Sequence, residues 1–578
     1  MTTWVLDDIL KPDDHVRLVN GLKGLVDEFK GYREKLGPGL NQEEFMGILR
    51  KQERISEAAC RLASYAGLSL SEDTTDGKRI SHQASISQIC AEVDNDVMFF
   101  GLWFRDLSDE EASKYMEQAG PYRYMLERIR AFRKHILTEK EEKVINLKDL
   151  TGSEALTRLY DVMTGRFRFE FQGKTLTYEE IGKYKTDPDR KKRKESYESI
   201  LSVYSEEEDV LSEIFRDLIL DTRNEELRLR NFRSVMEASN LGNDIPDEVS
   251  ETLLDVVRKE RGVFQDYFRL KAKVCRIEGM DRYDVYAPYA RDERAYPFEE
   301  CKGTVLAVCR GFDETFYNMA KRIFDERHIH SEVGGNKQHG GYCASVVKGM
   351  TPYIMLNHRG KLEDLYSMMH EVGHAVHALR AAGQTEFTYR APLPLAETAS
   401  IFSEMLLSKH LLKDASGREK TAILVRMLDN QYATILRQAY FVAFEKDAHE
   451  AVSEGAGADL LNSLYLESLK EQFGPSVAVP DMFKHEWKTI QHMFYHPFYC
   501  LSYAFGNLLV LALYQRFIEE GMEFVPMYMR ILGQGGSDSP KNILYATGID
   551  ITERSFWESG FEAIKDEMRM LERNVTTG

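Results

Sequence analysis

The chain has 578 residues, too many for one small core; length alone suggests roughly three or four domains' worth of chain. Its 43% hydrophobic and 29% charged residues fit an ordinary globular protein, and a net charge of -18 argues against nucleic acid or an anionic membrane surface as partners. The N-terminus shows no basic region followed by an apolar core, and the most apolar run, Leu508 to Leu513, is too short to span a bilayer.

From Asp14 to Ile136 apolar residues recur at three and four, as in Leu18, Leu22, Leu25, Val26 and Phe29, which predicts helices. Ser108-Asp109 reads as an N-cap. Arg166 to Phe171 alternates like a strand, Gln172-Gly173-Lys174 turns, and Thr175 to Tyr178 resumes, so a small hairpin is expected near 166–178. Asp187-Pro188-Asp189 then caps a helix whose basic start, Arg190 to Lys194, reads as a solvated face in an acidic chain. A boundary is expected near residue 185, with a helical N-terminal lobe over 1–185 and a catalytic helical domain over 186–578. Ser239 to Pro246 reads as a loop and Tyr283 to Tyr289 as extended. The seven cysteines, odd in number and without paired spacing, read as reduced thiols, so a cytoplasmic location is expected.

Glycines crowd Val333 to Tyr342, without the spacing of a nucleotide loop. Glycine lets another backbone approach, and Gly340, Gly341 and Tyr342 would suit pairing with a peptide substrate by strand addition. The apolar run Tyr353 to Leu356 and the turn Asn357 to Gly360 lead into a helix with Leu362, Leu365, Met369, Val372 and Val376 as a core stripe.

That helix carries His370-Glu371-Val372-Gly373-His374. Residues four apart lie about 40° from one another around a helix, so both imidazoles can reach one metal ion. Zinc held this way acidifies bound water to a pKa of about 7, and the adjacent carboxylate of Glu371 can take its proton during attack on a peptide carbonyl. A catalytic zinc wants a third protein ligand and one open position. The three-histidine pattern fails, because its glycine place holds His377 and its last histidine place holds Arg380. Glu386 lies in a loop-like stretch, which positions a ligand poorly. Glu397 and Glu404 lie two turns apart on one helical face, and two carboxylates on a buried helix need a reason. Glu397 is therefore the expected third ligand, Glu404 a partner of a ligating histidine, and His377 an outer or substrate-facing residue.

Farther on, His492, His496, Tyr499 and Tyr503 fall at steps of four, three and four, so they are expected to line one helix face. Tyrosine and histidine can donate to a tetrahedral oxyanion. Cys500 reads as a packing residue.

These residues together resemble the thimet oligopeptidase and oligoendopeptidase F family, and more closely its oligoendopeptidase F branch. His370 to His377 followed by Leu395 to Glu404, the lead-in from Gly340 to Cys343 and Tyr353 to Gly360, the Tyr/His run 492–504, and Gly533 to Pro540 with Gly548-Ile549-Asp550 carry the resemblance. It implies a mostly α, two-lobed zincin-type metallopeptidase with a small β element beside the active-site helix and a deep substrate channel. It implies one zinc ion per chain and cleavage of short peptides. His496, Tyr499 and Tyr503 would then be catalytic donors facing the zinc, and His492 would touch substrate. Two rivals differ from this reading: a helical zinc carboxypeptidase that trims ends, and a non-catalytic peptide-binding protein with a vestigial metal site.

Overall fold

The computed structural model describes residues 2–37, 39–290 and 294–577. Helices dominate it, and the described strands are few and short. Strands β1 (Phe169–Phe171) and β2 (Lys174–Leu176) form the expected hairpin, turned by Gln172 and Gly173, both at positive φ. Strands β3 (Ile329–His330), β4 (Tyr342–Ala344) and β5 (Tyr353–Met355) form a second sheet in the order β3-β5-β4. β5 runs parallel to β3 and antiparallel to β4, so β4 is an edge strand. Five helices matter below: α1 (Gln42–Glu72), α2 (Leu362–Arg380), α3 (Thr398–Asp414), α4 (Arg437–Ser453) and α5 (Cys500–Glu520).

The chain groups into two compact units, each built from three segments. The first contains 1–133, 292–410 and 517–548, and the second 134–291, 411–516 and 549–578. Residue 185 falls inside the second unit rather than at a boundary between units, and the N-terminal helices share their unit with α2. Segment pairing far apart in sequence has no local signature, so a boundary read along the chain misses such a division.

In the first unit, α1 runs 31 residues and buries Phe45, Ile48, Leu49, Ile55, Leu62 and Ala66 at helical spacing. The core it helps to build reaches Tyr353 and Met355 of β5. In the second unit, Phe215, Trp487, Phe494 and Phe444 stack together, with Tyr160 stacked on Phe494.

Local signals place several elements. Ser108 closes a capping box with Glu111, and Asp189 caps the helix that starts at Arg190. Val235–Asn243 is helical across most of the expected loop, because Ser234 caps it and Asp244 ends it in a left-handed turn. Arg282–Asp284 is a 3-10 turn rather than extended chain, capped by the Asp281 side chain. The helix around α5 is long and apolar enough to cross a membrane by length and composition, contrary to the sequence reading, but 72% of the qualifying window is buried within the protein. Leu508 of that helix packs against Gly560, where an added Cβ would come within 2.7 Å, so this part reads as a core helix.

Candidate metal centre

The centre starts with the lead into α2. The Asp364 carboxylate accepts from the backbone N–H groups of Arg359 and Lys361, both at 2.8 Å, which fixes where the helix begins. α2 is buried over much of its circumference: Leu365, Met368, Met369, Val372, Ala375 and Val376 are all at or below 2% exposure. His370 and His374 are left on the one half-open strip.

Gly373 sits between the two histidines because nothing larger fits. A Cβ there would lie 2.7 Å from the Ala399 carbonyl oxygen and 2.7 Å from the Ser400 Cα. This backbone-to-backbone approach brings the start of α3 against α2. Glu397 ends the short helix Leu393–Ala396 just before α3, and its carboxylate swings to the histidines. The Ser400 hydroxyl donates to Glu397 Oε2 at 2.7 Å and holds that oxygen in place.

Three donor atoms converge. His370 Nε2 and His374 Nε2 are 3.2 Å apart, and each lies 3.4 Å from Glu397 Oε2. A tetrahedral cation with metal–ligand bonds of about 2.05 Å has its ligands about 3.3 Å apart, so the spacing fits one ion with its fourth position left over. Among the described residues this is the one cluster of its kind. Glu404 Oε1 pairs with His370 Nδ1 at 2.6 Å, which leaves Nε2 free to be a ligand. His377 is buried and, like His374, has the Ala396 carbonyl as a partner, so it supports the residue beside Glu397 rather than facing a substrate.

Electrostatics agree with a cation site. Burial works against charge on His370, yet its hydrogen bond to Glu404 and the charges of Glu404, Glu371 and Glu397 outweigh this and raise it to about 9. At His374 burial wins: together with the charge of His370 it outweighs Glu397, the Ala396 carbonyl and Glu404, and pushes this imidazole down to about 4. Glu371, 7% exposed, is pushed up to about 7, mainly by burial. A carboxyl balanced near neutrality suits a group that must take and return a proton. Gly341 lies against it: a Cβ there would be 3.5 Å from Glu371 Oε1.

The other expected residues divide. Gly340, at positive φ, and Gly341 form the turn into edge strand β4. The Tyr342 hydroxyl donates to Ser71 Oγ at 2.7 Å, so this side chain is committed to the scaffold. In the second unit, His492, His496, Tyr499 and Tyr503 do not lie on one continuous helix. Proline lacks an N–H and disfavours helix in the residue before it. His496 is accordingly extended, Phe498 is left-handed, and α5 begins only at Cys500. The rings still gather. His492 and Tyr499 stack at 5.3 Å, Tyr499 and Tyr503 meet edge-on at 5.5 Å, His496 lies 6.2 Å from Tyr499, and Tyr503 Oη is 3.5 Å from His492 Nε2.

Ser400 was not anticipated from the sequence, and nothing in its local pattern sets it apart. Gly373 could have been found: a glycine inside a helix asks for a packing reason.

A helical protein with two histidines and a glutamate around one cation position, and a second glutamate beside them, has the site of a metallopeptidase. Residues 183–563 match the model of peptidase family M3, and residues 103–169 match the oligopeptidase F model. The chain is 26% identical to the group B oligopeptidase PepB of Streptococcus agalactiae, over all of this chain and 97% of that protein. It is 25% identical to the oligopeptidase PepF of Bacillus subtilis, over 98% and 87%. Among solved structures, oligoendopeptidase F from Enterococcus faecium shares the fold, with TM-score 0.70, 22% identity and coverage of 99% and 100%. The chain belongs to peptidase family M3, on its oligopeptidase F branch, and is a metallo-oligoendopeptidase.

Proposed function

We propose that the enzyme holds one zinc ion through His370, His374 and Glu397 and cleaves short peptides internally, with Glu371 moving the proton. Two imidazoles and a carboxylate suit zinc among the divalent ions. When bound, zinc supplies Lewis acidity toward the peptide carbonyl and the attacking water. Glu371 takes the proton of that water and returns it to the leaving amine. Glu404 keeps His370 in the tautomer whose Nε2 is a donor atom. Edge strand β4 pairs with the substrate backbone, and Tyr499, Tyr503 and His496 are assigned as donors to the oxyanion. All seven cysteines are free, which fits a reducing, cytoplasmic setting.

The observation that carries this reading is the spacing of 3.2, 3.4 and 3.4 Å among the three donor atoms. It is tested by mass spectrometry of products from a mixed library of end-blocked peptides, with and without chelator. Internal cuts that vanish with chelator and return with zinc are expected. No cut in the end-blocked library, with loss of C-terminal residues from unblocked peptides, would turn the reading into a carboxypeptidase.

A further inference from the structure

β4 starts beside the proton-transfer group and ends at a clamp. At its start, Gly341 lies against Glu371. Past its end, the carbonyls of Ser345 and Val346 are occupied. Arg390 Nη2 donates to both, at 3.1 and 2.9 Å, and the Tyr389 hydroxyl donates to Ser345 at 3.3 Å.

The clamp is itself held. The Glu386 carboxylate is fully buried, accepts from the Lys348 N–H at 2.9 Å through Oε2, and pairs with Arg390 Nη1 at 3.3 Å through Oε1. The Glu386 N–H donates to Glu53 Oε1 of α1 at 2.8 Å. The Gly533–Gly536 segment backs the loop: the Gly536 N–H donates to the Thr388 carbonyl at 2.7 Å, and a Cβ on Gly535 would come within 2.5 Å of the Tyr389 carbonyl oxygen. Arg390 nevertheless keeps 43% of its side chain exposed. A glutamate buried to this degree in a loop, anchored to a helix more than 300 residues away, holds the arginine where the strand stops.

We propose that Arg390 is a specificity-determining residue that ends the peptide-binding edge, so that one arm of the substrate pairs over about four residues and no farther. From Gly341 to Ser345 is four steps, about 13 Å at roughly 3.3 Å per residue, and an extended peptide advances by the same rise. Beyond that the next two carbonyls are already bonded, Ser345 to Arg390 and Tyr389 and Val346 to Arg390, so whichever of them faces the open edge is taken. This inference rests on the pairing of substrate with β4.

The test uses the zinc-loaded full chain and two ladders of end-blocked, internally quenched peptides. One grows from one to seven residues on the N-terminal side of the cleaved bond, the other on the C-terminal side. On one arm, kcat/KM is expected to climb to about four residues and then stay flat. In Arg390→Gln the flat region should begin at a longer peptide, through KM, with metal content unchanged and kcat for short peptides within about twofold. Tyr389→Phe, which removes one hydroxyl and keeps the ring, should weaken the limit in the same direction and serves if Arg390→Gln melts early. A limit at the same length in wild type and both variants, or no limit near four on either arm, would overturn the proposal. N-methylation of successive amides on the limited arm separates the two levels: if it costs nothing anywhere, the β4 pairing itself fails.

Discussion

Glu371 and Gly373 show two ways in which one residue controls the site. In the proposed mechanism Glu371 acts through its charge, so Glu371→Gln should keep the metal and lower kcat by at least about a hundredfold. Metal analysis beside single-turnover kinetics checks both halves, and near-normal turnover would remove Glu371 from the chemistry. Gly373 acts through its lack of a side chain. Gly373→Ala puts a Cβ 2.7 Å from backbone atoms of residues 399 and 400, which cannot swing aside. It should cost about 1–3 kcal/mol of stability and weaken metal binding by moving Glu397 away from the histidines. Denaturant melts and metal titration would read this, and an unchanged affinity would contradict it. Glu404→Ala removes the partner of His370 Nδ1 and should lower metal affinity about 10–100-fold, as measured by competition with a chelator.

At the scale of elements, the pairing of α2 with α3 was the most legible part of the molecule. The His–x3–His spacing, the Glu–x6–Glu spacing and the apolar stripe all depend on local helical geometry, which the sequence states directly. The Tyr/His segment was less legible. Its spacing suits a helix, but Pro497 breaks the helix, and the rings gather through a left-handed Phe498 instead. Glu386 was passed over as a loop residue, because the α1 residue that anchors its backbone, Glu53, lies far away in the chain.

The Phe498 turn has a support that the sequence did not announce. Glu445 of α4 is 2% exposed, accepts from the Phe498 N–H at 3.0 Å through Oε1, and has Oε2 buried without a partner. Burial pushes its pKa up to about 8 from the ordinary carboxyl value of 4.5. A folded-state pKa raised above the unfolded one gives stability that is full below pH 4.5 and lost as pH rises through 8. Glu445→Gln should therefore gain on wild type as pH rises across that window, by roughly 2–4 kcal/mol at pH 8. His449, one turn along α4, is pushed down to about 4 by burial and works from the acid side. Its neutral form stabilises the fold above its ordinary value of 6.5, and that contribution is lost as pH falls from 6.5 through 4. Denaturant melts of wild type and Glu445→Gln from pH 4 to 9 check the Glu445 sign, and parallel curves would contradict that assignment.

For the whole molecule, family and fold follow from features spread along the chain, and the family model alone spans residues 183–563. The division into units did not follow from the sequence, because each unit draws on three separated segments. The metal donors all lie in the first unit and the Tyr/His rings in the second. The donor set and the Tyr/His assignment can therefore be tested separately. Tyr503→Phe should lower kcat for peptide cleavage while leaving metal content at wild-type level, and an unchanged kcat would remove it from the reaction.

If the proposed mechanism holds, one ion gripped by His370, His374 and Glu397 is required for peptide cleavage. The most direct measurement is metal content and cleavage of an end-blocked, quenched peptide on the same samples of wild type and Glu397→Ala, stripped with chelator and titrated with zinc. Wild-type activity should rise in proportion to bound zinc and level off at one ion per chain, while folded Glu397→Ala should bind zinc weakly and stay inactive at that ratio. Full cleavage by metal-free wild type, or by Glu397→Ala with wild-type zinc affinity, would contradict it.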